Sequence, residues 1–128
     1  GKPNERELCA LIGEARTQEP ERIKAYARRL MPPYGALLVS MGKEGGIWVQ
    51  AQAAYLARVP DVPIVSTVGS GDAAFAGALR AMETGLAPDE ALRLAMACGT
   101  ANAMLGEVGS VRVADVQRMA EKTEISPI

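Results

Sequence analysis

The stretch Gly35-Ala36-Leu37-Leu38-Val39-Ser40 carries apolar side chains at successive positions, so both faces of the extended segment are hydrophobic. A strand of that kind is stable only when it is buried from both sides, as in a sheet sandwiched between helices. Helical patterns flank it on both sides, which indicates an α/β layered domain. Such a strand is expected to have parallel neighbours, and 128 residues of this pattern supply too few to surround it. Two expectations follow: the missing strands come from another chain, or these residues are the back half of a larger domain with an incomplete sheet. A hydrophobic content of 48% is enough for a packed core.

Upstream, Asn4 precedes an acidic, apolar-periodic segment with Glu7 three residues on; Leu8, Leu11 and Ile12 make one helical face and Gly13 stops it. A second helix starts at Glu19-Pro20-Glu21, with Ile23, Ala27 and Leu30 on one face, and ends before Pro32-Pro33. After the strand, Met41 to Gly46 is a turn, and Ile47–Gln50 and Ala54–Val59 read as short strands. Pro60 to Pro63 breaks the chain. Helices are then predicted over Asp72–Thr84, with Phe75, Leu79 and Met82 along one side and Gly85 as the stop, from Pro88 to about Leu105, and over Ala114–Lys122. Thr123 to Ile128 reads as a tail, and Trp48, Met96 and Met104 as core residues.

Fourteen basic and fifteen acidic residues nearly cancel, which gives no electrostatic footprint for nucleic acid or a membrane surface. No apolar run reaches the ~20 residues of a spanning helix and no signal peptide opens the chain, so a soluble, cytoplasmic protein is expected. Cys9 and Cys98 sit in apolar helical patterns, the usual setting of a small buried thiol. The absence of histidine excludes Ser-His-Asp and Cys-His catalysis and the common zinc sites. What remains is chemistry by carboxylates, backbone amides, Lys, Arg or a hard metal ion.

One place can assemble that chemistry. Gly69-Ser70-Gly71-Asp72 opens a helix, so unpaired amides and the positive end of a helix dipole meet where no side chain obstructs an incoming anion. A carboxylate at Asp72 beside that cradle can accept a hydroxyl proton while the amides hold the phosphoryl group under attack. The competing reading is that Asp72 caps a helix after a flexible turn. Asp72-Ala73-Ala74 after Gly71 does not fit GxGxxG, and Pro60 and Pro63 replace the strand that a Rossmann or Walker loop requires.

Thr67-Val68-Gly69-Ser70-Gly71-Asp72, followed by Ala-Ala-Phe-Ala-Gly, resembles the second signature of the ribokinase-like, or PfkB, carbohydrate kinases. Three further segments are similar to that family in the same order: Lys2 to Glu7 to its KPN and NxxE element, Val39 to Gly45 to its strand and turn beside the nucleotide, and Ala97 to Ala103 to its helix near the adenine. The resemblance implies the C-terminal portion of a ribokinase-like αβα fold, covering residues 1–128, with the N-terminal sugar-binding half and lid absent. It implies ATP and Mg²⁺ as cofactors, Asp72 as the base, and Gly69, Ser70 and Gly71 as the anion hole. Glu7 would organise Mg²⁺ through water with Asn4 near the phosphates, although Asn4 and Glu7 equally make a capping box. Ser40, Gly42, Gly45, Gly99 and Asn102 would line the nucleotide site, although Gly42 and Gly45 are also ordinary turn residues. The loop Gly106 to Ser110 would border the adenine.

The KPN element and the STVGSGD form are more typical of the phosphosugar branch, so the acceptor implied is a ketohexose phosphate: tagatose 6-phosphate, fructose 1-phosphate or fructose 6-phosphate. An unphosphorylated sugar or a nucleoside is the alternative acceptor, and a non-catalytic nucleotide- or anion-binding module, or an inert fragment, is the alternative for this chain alone. An apolar face left uncovered by the absent half is expected to associate with another copy or with a complementary segment.

Overall fold

A computed structural model describes residues 3–31, 35–105 and 112–128. The order of elements is α1 (Glu5–Ile12), α2 (Pro20–Leu30), β1 (Leu37–Ser40), β2 (Gly46–Val49), β3 (Ala54–Arg58), α3 (Ser70–Glu83), α4 (Pro88–Leu105), α5 (Val113–Lys122) and β4 (Glu124–Pro127). The strands form one sheet in the order β1-β2-β3-β4. Two compact units are present, residues 1–56 with 126–128 and residues 57–125, and each is described by itself.

In the first unit, β1 and β2 pair antiparallel with Leu37 opposite Val49 and Ser40 opposite Gly46. The expectation of a parallel neighbour is corrected on this side, because the turn at 41–45 is far too short for a parallel crossover of a dozen or more residues. One parallel contact does exist: Asn4 bridges to Ser40, and the Ser40 amide donates to the Pro3 carbonyl at 3.2 Å. The turn itself is a single 3-10 turn, Gly42–Glu44, closed by bonds from the Met41 amide to the Gly45 carbonyl and from the Gly45 amide to the Gly42 carbonyl. Gly45 adopts φ 100 and ψ −134, a region that essentially only glycine occupies.

Alternate strand residues Leu37, Val39, Ile47 and Val49 meet Leu8 of α1 and Ile23 and Ala27 of α2 in one core cluster. Each fully buried Leu or Ile contributes about 1.5–3 kcal/mol. Leu38 and Trp48 point to the other side of the sheet and are also buried, so the strand is apolar on both faces as its composition requires. Within α1, Leu8 and Cys9 face inward and Leu11 is 66% exposed, which removes Leu11 from the expected inward face. Glu5, by contrast, is a buried acid whose Oε1 accepts from Arg16 at 2.9 Å and Gln18 at 3.1 Å, tying the loop after α1 back to its start. The expected tail is the edge strand β4, with the Ile128 amide donating to the Ala54 carbonyl at 3.0 Å.

The second unit packs α3 on α4 and α4 on α5. The α3 side facing α4 is made of small residues, Ala73, Ala74, Gly77, Ala78 and Ala81, all buried. Phe75, Leu79 and Met82 do line one side of α3, but it is the solvent side, where they and Leu86 are 38–58% exposed. Arg93 of α4 donates to the carbonyls of Ala120 and Thr123, closing the C-terminal end of α5. Cys98 is half-buried, and burial pushes its thiol above the ordinary range. No helix among the described residues is long and apolar enough to cross a membrane.

Candidate functional site

The turn ahead of α3 is shaped by hydrogen bonds within residues 66–73. The Val68 amide donates to Ser66 Oγ at 3.2 Å, the Ser70 amide to the Thr67 carbonyl at 3.1 Å, and the Ala73 amide to the Gly69 carbonyl at 2.9 Å. Gly69 reverses the chain at φ 82 and ψ −7, a left-handed conformation in which a side chain would be strained, and this aims the first turn of α3 away from the preceding loop. The amides of Gly69, Gly71 and Asp72 bond to no acceptor among the described residues. They are the open donors at the positive end of a helix running from Ser70 to Glu83. The Ser70 amide, one of the three expected in the anion hole, is occupied by Thr67, and Asp72 contributes an open amide that the expected set of three leaves out.

Asp72 is exposed, and its carboxylate makes no ion pair or hydrogen bond with the described residues. It is therefore available to an incoming hydroxyl and is not spent as a cap: Gly69 is the N-cap and no side chain caps α3. Behind the turn lies α4. Ser70 Oγ donates to Oδ1 of Asn102 at 3.3 Å, and Asn102 has no solvent exposure. Gly99 lies against α3, since a Cβ built on it would meet the Ser70 carbonyl oxygen at 3.2 Å and Ala74 Cβ at 3.4 Å. The Val65 and Ser66 amides both donate to the Ala103 carbonyl, at 2.9 and 3.1 Å. The contact of Asn102 with Ser70 was not anticipated; the signal for it was a lone amide within an alanine-rich helical face.

In the first unit the structure brings together Asn4, Glu7 and Ser40. Asn4 and Glu7 form a reciprocal capping box: the Glu7 amide donates to Asn4 Oδ1 at 2.7 Å and the Asn4 amide to Glu7 Oε1 at 3.1 Å. That geometry engages Oε1 of Glu7, an exposed residue, and leaves Oε2 with no hydrogen bond to the described residues. Among the described residues no three His, Cys, Asp or Glu side chains cluster as a metal cage. A single carboxylate oxygen reached through water fits Mg²⁺, which keeps several waters and takes its remaining ligands from phosphates. Gly42 is exposed with open space around it, and Gly45 is buried in the turn. The loop Gly106 to Ser110 lies outside the described residues.

Residues 2–110 match the pfkB family carbohydrate kinases. The 1-phosphofructokinase of Bacillus subtilis is 36% identical over 111 residues, covering 85% of this chain and 36% of that protein. The 1-phosphofructokinase of Rhodobacter capsulatus is 42% identical over 109 residues, covering 84% of this chain and 34% of that protein. Among solved structures, a candidate phosphofructokinase from Staphylococcus aureus superimposes with a TM-score of 0.91 at 28% identity, covering 99% of this chain and 41% of that one. Phosphofructokinase-2 from Escherichia coli in complex with potassium shares the fold at a TM-score of 0.85. An α/β chain of ribokinase-like fold, whose glycine turn and helix present open amides beside a free carboxylate, belongs to the pfkB family of carbohydrate kinases. It spans about two fifths or less of the length of these relatives.

Proposed function

We propose that the polypeptide carrying this sequence transfers the terminal phosphoryl group of ATP to a hydroxyl of a sugar phosphate. The supporting observation is the group of open amides at Gly69, Gly71 and Asp72 beside an unengaged carboxylate. The acceptor hydroxyl gives its proton to Asp72 as its oxygen attacks the γ-phosphorus. The new O–P bond forms as the bond to the leaving ADP oxygen breaks, and the charge on the transferred group's equatorial oxygens faces the amides at the start of α3. Donors fixed before the reaction need no reorganisation when charge develops, which is why their placement on a helix start matters.

Mg²⁺, when bound, neutralises charge on the donor phosphates. Glu7 would hold it through water by the oxygen that the capping box leaves unengaged, with Asn4 near the phosphates. Ser40, Gly42 and Gly45 border the nucleotide in this reading, and Gly99 and Asn102 lie on the helix behind the phosphates. Among ketohexose phosphates, relatives named 1-phosphofructokinase favour fructose 1-phosphate. We further propose that this chain supplies the nucleotide-binding part of the kinase domain. In the full kinase the row Phe75, Leu79, Met82 and Leu86 is covered by the remainder of the fold that the longer relatives contain.

The test is Asp72→Asn in the full-length protein. Turnover of ATP and fructose 1-phosphate falls by ~10²-fold or more while ATP binding measured by calorimetry persists. Wild-type turnover in that variant removes Asp72 from the chemistry.

A further inference from the structure

We infer that Asn102 is a positioning residue: it fixes the first residue of α3, and through it the direction of the Gly71 and Asp72 amides, instead of touching the nucleotide. Its kinetic part rests on the phosphotransferase reading above. Asn102 has no solvent exposure, so it offers no surface to a purine ring. An amide buried in an apolar helix is costly unless its polar atoms are bonded, and its Oδ1 receives the Ser70 hydroxyl at 3.3 Å.

Two neighbours on α4 act on the same segment. Gly99, about one turn earlier, permits close approach, because a Cβ there would stand 3.2 Å from the Ser70 carbonyl oxygen. Ala103, the next residue, lies in the last turn of α4, where carbonyls have no helical donor, and its oxygen accepts both the Val65 and Ser66 amides. The segment from Val65 to Ser70 is thus referenced at both ends to one stretch of α4, and the orientation of the open amides follows from where α4 lies.

The experiment compares Asn102→Ala, Ser70→Ala and the double variant in the full-length protein, with ATP and fructose 1-phosphate as substrates and with NMR of the Gly71 and Asp72 amides. Positioning through Ser70 predicts that each single change lowers kcat by ~10-fold with the KM for ATP within about twofold. The double variant should lose about as much as Asn102→Ala alone, not the product of the two losses, because the contact that Ser70→Ala removes is already absent there. Both single changes should shift the same two amide resonances.

A raised KM for ATP with kcat retained in Asn102→Ala overturns the inference in favour of direct nucleotide contact. Multiplicative losses, or unmoved Gly71 and Asp72 amides, overturn it as well. If Asn102→Ala does not fold, Ser70→Ala decides by the same readouts, since Ser70 is only half-buried. Should the parent protein turn over no ATP while both substitutions move the two amides, the phosphotransferase reading fails and the positioning role stands.

Discussion

Gly77→Ala probes how closely α3 lies on α4. The added Cβ would stand 2.9 Å from Cys98 Sγ, 3.2 Å from Ala95 Cα and 3.2 Å from the Leu94 carbonyl oxygen. Carbon contacts are most favourable at about 3.5–4.0 Å, so all three approaches are too close. The thiol can turn aside, and as burial raises its pKa it is the neutral thiol that the methyl group meets. The two backbone atoms of α4 cannot turn. The helices must therefore part by a few tenths of an ångström along an interface that α3 builds from alanines and Gly77.

Overpacking of this kind costs about 2 kcal/mol, the middle of its usual range. Alanine in a helix interior returns about 1 kcal/mol relative to glycine. The net expectation is a loss of about 1 kcal/mol, or about 4 °C in midpoint. Denaturation followed by helical circular dichroism measures it. On a Cys98→Ala background the loss should shrink by at least about 0.5 kcal/mol, since the nearest obstacle is gone and neighbouring sites couple on this scale. A Gly77→Ala chain as stable as its parent on both backgrounds would refute a contact-limited interface.

Two further outcomes are expected. Glu7→Gln keeps the capping box, because glutamine can make the same bond to the Asn4 amide, and so leaves thermal stability within a few tenths of a kcal/mol while raising the Mg²⁺ concentration needed for half-maximal turnover ~10-fold or more; equal metal dependence would assign Glu7 to the cap alone. The 128-residue chain by itself should associate through the outer row of α3, giving a scattering mass above that of a monomer, and Leu79→Lys with Met82→Lys should restore the monomer; a monomeric parent at high concentration would show that the row needs no cover.

The sequence was most informative where a local rule decides the structure. Asn4, Glu7 and Gly13 mark both ends of α1 because caps act within a few residues, and α4 runs from Pro88 to Leu105 as its periodicity indicates. It was least informative where partners are distant in the chain. Phe75, Leu79 and Met82 stand out as a stripe, yet the packed side of α3 is the inconspicuous one of alanines and Gly77, since close approach of two helices requires small side chains. The edge strand β4 contains Pro127 and few apolar residues, and only its pairing beside β3 reveals it. At the start of α3, the glycine turn at Gly69 and the place of Asp72 in the first helical turn were legible from helix-start chemistry. Which amides stay open depended on the Thr67 carbonyl, a bond that no pattern of residue types announces.

Gly45 carries a consequence for how this protein can vary. Every single-base change in a glycine codon that alters the amino acid installs a carbon at the α position's vacant site, and at φ 100 and ψ −134 all of those replacements are strained alike. Inheritance therefore meets a wall at this codon whether or not a nucleotide ever rests beside it, so invariance of Gly45 among descendants would testify to the hairpin's shape before it testified to any ligand.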